Sequence, residues 1–319
     1  MPKTKLEKEI SRRSTRKGKL VPLLEDLFTQ PVEIESEEDI EWIEQLLRRM
    51  LARGQDRNNR PLYSPSQLSE CLRYVYLLKH RKELGLVRTG SRSASAHYYF
   101  FTGNFLHLKW QFALMKLEKA VNNPAIFRLH GVEVPIVSKR KDHGGTVDAL
   151  VSINEEPSIV DFKGINVRSF QEISRGFVPV TYTIQLTDYG MLFNSAASKN
   201  GEAKISTALL VSENKGGADA KRPLALQETE IQIETHLPEV RSRLKELRSY
   251  ADKKEIPPPE CTSIGTVQFK ACPFRKFCKE EVQVIERRAK RAARKDAEGL
   301  TVAIPERRGN NRSRRNSKR

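Results

Sequence analysis

Two short apolar runs, each with a carboxylate at its polar end, constrain this chain more than any other feature. They are Gly145-Thr146-Val147-Asp148-Ala149-Leu150 and Ser158-Ile159-Val160-Asp161-Phe162-Lys163-Gly164. Both read as strands. Residues i and i+2 of a strand point to one face, so Asp161 and Lys163 project together while Phe162 turns into the core. Asp148 then arrives from the neighbouring strand. Two acids and an amine around one point can hold a divalent cation and activate a water beside a phosphate. Asp-x-Lys also arises by chance on solvated strands. Here Val147, Leu150, Val151, Ile159, Val160 and Phe162 bury at least one face, and charges in buried strands need partners or a metal.

Two further segments fit the same point. Gly103-Asn104-Phe105-Leu106-His107-Leu108-Lys109-Trp110-Gln111 opens a helix that is apolar nearly all round. One stripe is Phe105, Leu108, Phe112 and Met115; a second is Leu106, Trp110, Ala113 and Leu117. Such a helix is expected to be buried, with His107 in its first turns. Downstream, residues 182–189 read as a helix that puts Gln185 and Tyr189 on one face. A lone His in a helix is also an ordinary core residue, and Gln-x-x-x-Tyr also ordinary packing.

The order of these pieces resembles the PD-(D/E)xK nucleases of the RecB type, over about residues 64–280. Val147 stands where the family's proline would be. The resemblance implies a restriction-endonuclease-like α/β core, with a central mixed sheet flanked by helices and a helical N-terminal part. It implies Mg²⁺ or Mn²⁺ held by His107, Asp148, Asp161 and the carbonyl of Phe162. Lys163 would orient the attacking water or stabilise charge, Gln185 would hold Lys163 or the substrate, and Tyr189 would contact the backbone. The reaction implied is hydrolysis of DNA phosphodiesters, as an exonuclease in recombination, repair or replication.

The chain has four cysteines: Cys71, Cys261, Cys272 and Cys278. One precedes the acidic motifs and three follow. Members with an iron–sulfur cluster, including CRISPR-associated adaptation nucleases and AddB-type repair nucleases, share this one-plus-three layout, and four thiolates suit a [4Fe–4S] cluster. The ten residues between Cys261 and Cys272 exceed the usual interval. Buried free thiols, disulfides and zinc are the alternatives, although zinc sites favour close Cys-x-x-Cys pairs, which are missing here.

The net charge of +17 is unevenly placed. Residues 1–20 carry eight Lys/Arg against two Glu, and residues 286–319 carry thirteen against four acids. Basic ends attract phosphate backbones without reading sequence. A DNA partner with a single-stranded end fits this, as does a nucleic-acid-binding accessory protein with little cleavage. Without a Gly-x-x-x-x-Gly-Lys-Ser/Thr loop, any motor of a larger helicase–nuclease complex would be another chain, leaving room for protein partners. The absence of a signal-like or membrane-length apolar segment suggests an intracellular, cytoplasmic protein with no membrane role.

The expected organisation is a disordered basic tail (1–20), a helical extension (21–63), a nuclease domain with the cysteine cluster (64–282) and a basic C-terminal tail (283–319). Within it, Ser36 and Asp39 open a helix over 36–53 with a stripe of Ile40, Ile43, Leu46, Leu47 and Met50. Ser64, Pro65 and Gln67 open another as a capping box, with Cys71 on its inward face. Residues 86–98 read as a loop able to embrace a strand. Glu133, on a strand over 132–137, is either a supporting acid or merely exposed. A charged helix starts near Pro238, and Pro257-Pro258-Pro259 leads to the last three cysteines.

Overall fold

The computed structural model describes residues 18–55, 61–86, 94–200, 203–217 and 224–300. The chain divides into two compact units, Met1–Pro258 and Pro259–Arg319, and the division falls inside the triproline.

The first unit is α/β. A five-stranded mixed sheet runs in sequence order: β1 (Phe127–Val137), β2 (Gly144–Ile153), β3 (Glu156–Ile165), β4 (Thr207–Asn214) and β5 (Leu226–Gln232). All neighbours are antiparallel except β3 and β4. That parallel pair needs a crossover, supplied by α6 (Val167–Ser174) and α7 (Val180–Asn200). Among the described residues five helices precede the sheet: α1 (Val21–Leu27), α2 (Glu37–Gln55), α3 (Pro65–Leu68), α4 (Leu72–His80) and α5 (Ala94–Val121); α8 (Ile233–Lys253) follows it.

Two cores sandwich the sheet. On one face Trp110, Leu114 and Leu117 of α5 and Leu23 and Leu24 of α1 pack against Val160, Phe162, Leu209 and Val211. On the other, Phe170 and Ile173 of α6 and Leu186 and Leu192 of α7 pack against Ile159, Ile165, Ala208 and Leu210. The strict parity of β3 and β4 puts Val160 and Phe162 on the α5 face and Ile159 and Ile165 on the α7 face. Asp161 and Lys163 therefore belong to the α7 face.

Several expectations need correction. The tail does not extend to residue 20. Leu20 is fully buried, and Glu228 accepts the backbone N–H groups of Lys19, Leu20 and Val21 at 2.6, 2.8 and 2.8 Å; residues 1–17 lie outside the described residues. The helix with His107 begins at Ala94, so residues 94–98 are not loop and Gly103 is interior; 87–93 lie outside the described residues. Nor is it buried all round: Phe101 and Phe105 are 60% and 54% exposed. In α2, Ser36 Oγ accepts the Asp39 N–H, as expected. Of its apolar stripe Leu46 is buried, but Ile40 and Leu47 are exposed. Asp39 is buried instead, between Lys116 and Lys119 at 3.1 and 3.2 Å.

The capping box of Ser64 and Gln67 is present, but its helix ends after one turn. Cys71 is the N-cap of the next helix, α4, rather than a member of one continuous inward face. The last helix of the unit starts at Ile233, and Pro238 lies within it. Pro238 lies just past the first four N–H groups, which have no helical partners, so it costs one helical hydrogen bond. In the second unit, α9 (Val267–Ala271) ends at Cys272 and α10 (Arg275–Leu300) carries Cys278 in its first turns, buried. The expected tail boundary at 283 therefore falls inside a helix; residues 301–319 lie outside the described residues. Among the described residues no helix is long and apolar enough to cross a membrane.

Candidate functional site

The sheet breaks its own pattern where the acids lie. Pairing of β2 with β3 ends at Ala149↔Val160, one residue short of Asp148 and Asp161. On the other side of β2, Val132 and Ala149 belong to the α5 core, whereas Val134 and Val147 belong to the α7 core. Alternation thus reverses across Glu133 and Asp148, which lie opposite each other between the pairs Val132↔Ala149 and Val134↔Val147. The reversal needs an irregular backbone, and Glu133 supplies it with φ of 55°. A left-handed conformation costs a side-chain-bearing residue about 1–2 kcal/mol, and such outliers gather at functional sites.

Asp148 sits in the gap this creates. Its Oδ2 accepts the Phe162 N–H at 2.8 Å, replacing a ladder bond between the parted strands. The same oxygen lies 3.0 Å from His107 Nδ1, which α5 delivers from the other layer. His107 Nδ1 is buried and finds no well-aligned hydrogen-bond partner. Donor atoms of His107, Glu133 and Asp148 all fall within 4.8 Å of one another. One nitrogen and two carboxylates in that compass match the hard-donor chemistry of a divalent cation.

Gln111, one helical turn beyond His107, fixes two of these groups. Its fully buried side chain donates from Nε2 to Glu133 Oε1 at 2.7 Å and to the Asp148 carbonyl at 2.9 Å. Trp110 Nε1 and Lys109 Nζ both donate to Glu213 and tie this helix to β4.

The second half of the site lies on β3. Lys163 Nζ is 2.7 Å from Asp161 Oδ2 and 3.0 Å from Oδ1, as the i, i+2 geometry required. Gln185 of α7 donates to Asp161 Oδ1 at 3.2 Å and hydrogen-bonds Tyr189, one turn further on. It therefore holds the acid, whereas Lys163 or the substrate was the expected partner. Phe162 is buried in the α5 core as expected, and its N–H is engaged by Asp148. Tyr189 is buried rather than exposed to a substrate backbone, and a β-carbon added at Gly145 would come within 3.0 Å of its ring.

The charges divide by environment. Burial raises the Asp148 carboxyl, but His107, Lys163 and the Phe162 N–H outweigh this and hold it below its ordinary value. Burial raises Asp161 above its ordinary value; Lys163 opposes this and the charge of Asp148 adds to it. Burial would lower the Lys163 ammonium, yet Asp161 and Asp148 overcome it and the group sits above the usual lysine value. Burial, then the two acids, push the Tyr189 phenol up.

Sequence reasoning therefore placed His107, Asp148, Asp161, Lys163 and Gln185 at one locus. It left Glu133 undecided and overlooked Gln111. The i, i+4 spacing of His107 and Gln111 was the available signal. Cys71 lies in the first unit and Cys261, Cys272 and Cys278 in the second; no disulfide joins cysteines among the described residues.

No protein-family model matches the chain, and no curated protein matches it. Among solved structures, the crystal structure of SSO0001 is similar at 18% identity, covering 74% of this chain and 95% of that one, with a TM-score of 0.40. The alkaline exonuclease LHK-Exo from Laribacter hongkongensis is similar at 15% identity, covering 63% and 95%, with a TM-score of 0.34. Likenesses at this level say nothing about chemistry, which has to come from the site.

Proposed function

We propose that this chain is a divalent-metal-dependent nuclease that hydrolyses DNA phosphodiester bonds. The observation that carries this reading is the donor set of His107, Glu133 and Asp148 beside the Asp161–Lys163 pair. A Mg²⁺ or Mn²⁺ ion bound there would polarise a phosphate oxygen and lower the pKa of a bound water. His107, Glu133 and Asp148 would hold it, with Asp161 completing the acidic wall. Glu133 takes the supporting place that the resemblance gave to the Phe162 carbonyl.

Lys163 keeps its proton because two acids face it. Its role is therefore to stabilise charge developing on the phosphate, rather than to accept a proton from water. Gln185 positions Asp161, and Tyr189 fixes Gln185 from behind. Gln111 positions Glu133 and the Asp148 backbone.

Four thiols without a disulfide fit a [4Fe–4S] cluster in number and type, with Cys71, Cys261, Cys272 and Cys278 as ligands. Such a cluster would tie residue 71 to the chain's last third, a structural role outside the reaction. Action on a DNA end, in recombination, repair or replication and with partner proteins, completes the reading.

The test is cleavage of end-labelled linear and of closed circular DNA with Mg²⁺ or Mn²⁺. Metal-dependent release of nucleotides from the linear substrate alone is the expected result. Cutting of the circle would replace the exonuclease reading, and no cleavage of either by protein that binds DNA would favour an accessory binding role.

A further inference from the structure

A cleft lined mostly by cations lies beside the β1–β2 turn. The β1–β2 turn, α7 and α8 line an open cavity of about 660 Å³. Six cationic side chains line it against a single acid, Asp252. Arg248 is already matched by Asp142, at 2.9 and 2.8 Å in a two-point contact. Arg140 shares Asp142 and Asp252 at 3.4 and 3.5 Å. Lys139, Arg241, Lys245 and Lys253 make no ion pair among the described residues. Arg241, Lys245 and Asp252 recur at helical spacing, so α8 turns one charged face to the cavity.

The wall is pre-formed. Ser138 N donates to the His143 carbonyl at 2.7 Å, and Ser138 Oγ to Asp142 at 2.9 Å. Tyr63 N donates to the Asp142 carbonyl at 2.8 Å and clamps the turn from outside. His143, fully buried, also lines the cavity. Its Nε2 meets the buried Asp188 carboxylate at 2.7 Å, while its Nδ1 has no hydrogen-bond partner among the described residues. Uncompensated cations around a fixed turn suit a phosphate.

We infer that this cavity binds a backbone phosphate of the nucleic-acid strand, away from the bond being cut. The inference rests on the nuclease reading for its substrate. Two spacings place it. Gln185 at the site and Ser195 at the cavity are ten residues apart on α7, about 15 Å at the helical rise. Asp148 and His143 are five residues apart leading into β2, roughly 17 Å when extended. At about 3.4 Å per base step, that is roughly four to five steps of duplex. The cavity would hold the strand in register while its end enters the metal site.

The test uses full-length protein and a fluorescein-labelled duplex with a single-stranded end. Affinity is read by anisotropy in EDTA, against salt, and cleavage is read separately at saturating DNA with Mn²⁺. The variant is Arg241→Gln/Lys245→Gln, both exposed side chains whose loss leaves the core intact. The comparison is Arg49→Gln/Arg128→Gln, equal in charge and also exposed. Arg49 lies on α2 and Arg128 at the start of β1, the end away from the turn, and neither lines the cavity. The cavity variant should lose about tenfold in affinity and about two units of salt slope, with its cleavage rate at saturation unchanged; the comparison should lose far less. Equal losses in the two variants, or none, overturn the proposal. A shift of the His143 ring signal on adding inorganic phosphate, with DNA affinity unchanged in the cavity variant, would make this a free-phosphate site and also overturn it. Wild type that binds DNA without cutting it would sink the nuclease reading alone, and the affinities would still decide the cavity.

Discussion

Replacing Gln111 with Leu separates metal positioning from mere stability. Gln111→Leu keeps the volume of a fully buried side chain but removes both donors. Glu133 Oε1 and the Asp148 carbonyl then lose bonds of 2.7 and 2.9 Å. Each buried acceptor left without its donor costs about 1–3 kcal/mol, so a loss of about 3 kcal/mol in metal-free stability is expected, readable by urea unfolding. Groups that orient metal ligands carry about 10–100-fold in metal affinity. Mn²⁺ titration by calorimetry should therefore show a Kd weaker by about that factor. Cleavage at saturating Mn²⁺ should stay within a few-fold of wild type, because Gln111 touches neither Asp161 nor Lys163. A variant that loses stability but binds Mn²⁺ as wild type does would reduce Gln111 to a packing residue.

Other expectations follow from the same contacts. Asp161→Ala and Lys163→Ala should each abolish cleavage while keeping the fold, and the double variant should be little worse than either, since both act at one phosphate. Asp39 is held below the ordinary carboxylate range by the Glu35 N–H, then by Lys116 and Lys119. Its stabilisation is complete above the unfolded value of about 4 and drains as pH falls below it. Asp39→Asn should therefore flatten acid unfolding, and an unchanged acid limb would contradict this. Protein purified without air should be brown with about four irons per chain, and lose both in Cys71→Ser or Cys278→Ser; stoichiometric zinc would replace the cluster. Deleting residues 1–17 and 301–319 should flatten the salt dependence of DNA binding by about one unit per lost contact while sparing cleavage at saturating DNA.

Much of the site was legible because period-two geometry is local. Asp161 and Lys163 had to share a face, and the apolar neighbours of Asp148 made a buried partner strand the natural place for it. Glu133 was not legible for the converse reason. Its place beside Asp148 depends on a reversal of alternation in β1 and β2, and that rests on a left-handed backbone that no glycine announces. Helix starts failed in a similar way. Ala94 begins α5 well before the apolar stripes do, and Pro238 sits inside α8 although it reads as a start. In both, tertiary packing carries the helix past the local signal. The burial of Asp39 was hidden because its cations come from α5, some eighty residues away.

On the proposed reading, a metal held by His107, Glu133 and Asp148 drives hydrolysis. Single-turnover cleavage of an end-labelled duplex against Mn²⁺, in wild type and Asp148→Asn, tests it most directly. An amide at this position can still accept the Phe162 N–H through its carbonyl, so the parted strands stay bridged while the ligand charge is gone. Wild type should cut in a saturable, Mn²⁺-dependent way. Asp148→Asn should fall by at least about a hundredfold with its DNA affinity and melting temperature retained. Cleavage by Asp148→Asn at the wild-type rate, or wild type that binds DNA yet shows no response to Mn²⁺, would rule out a metal at these residues as the source of cleavage.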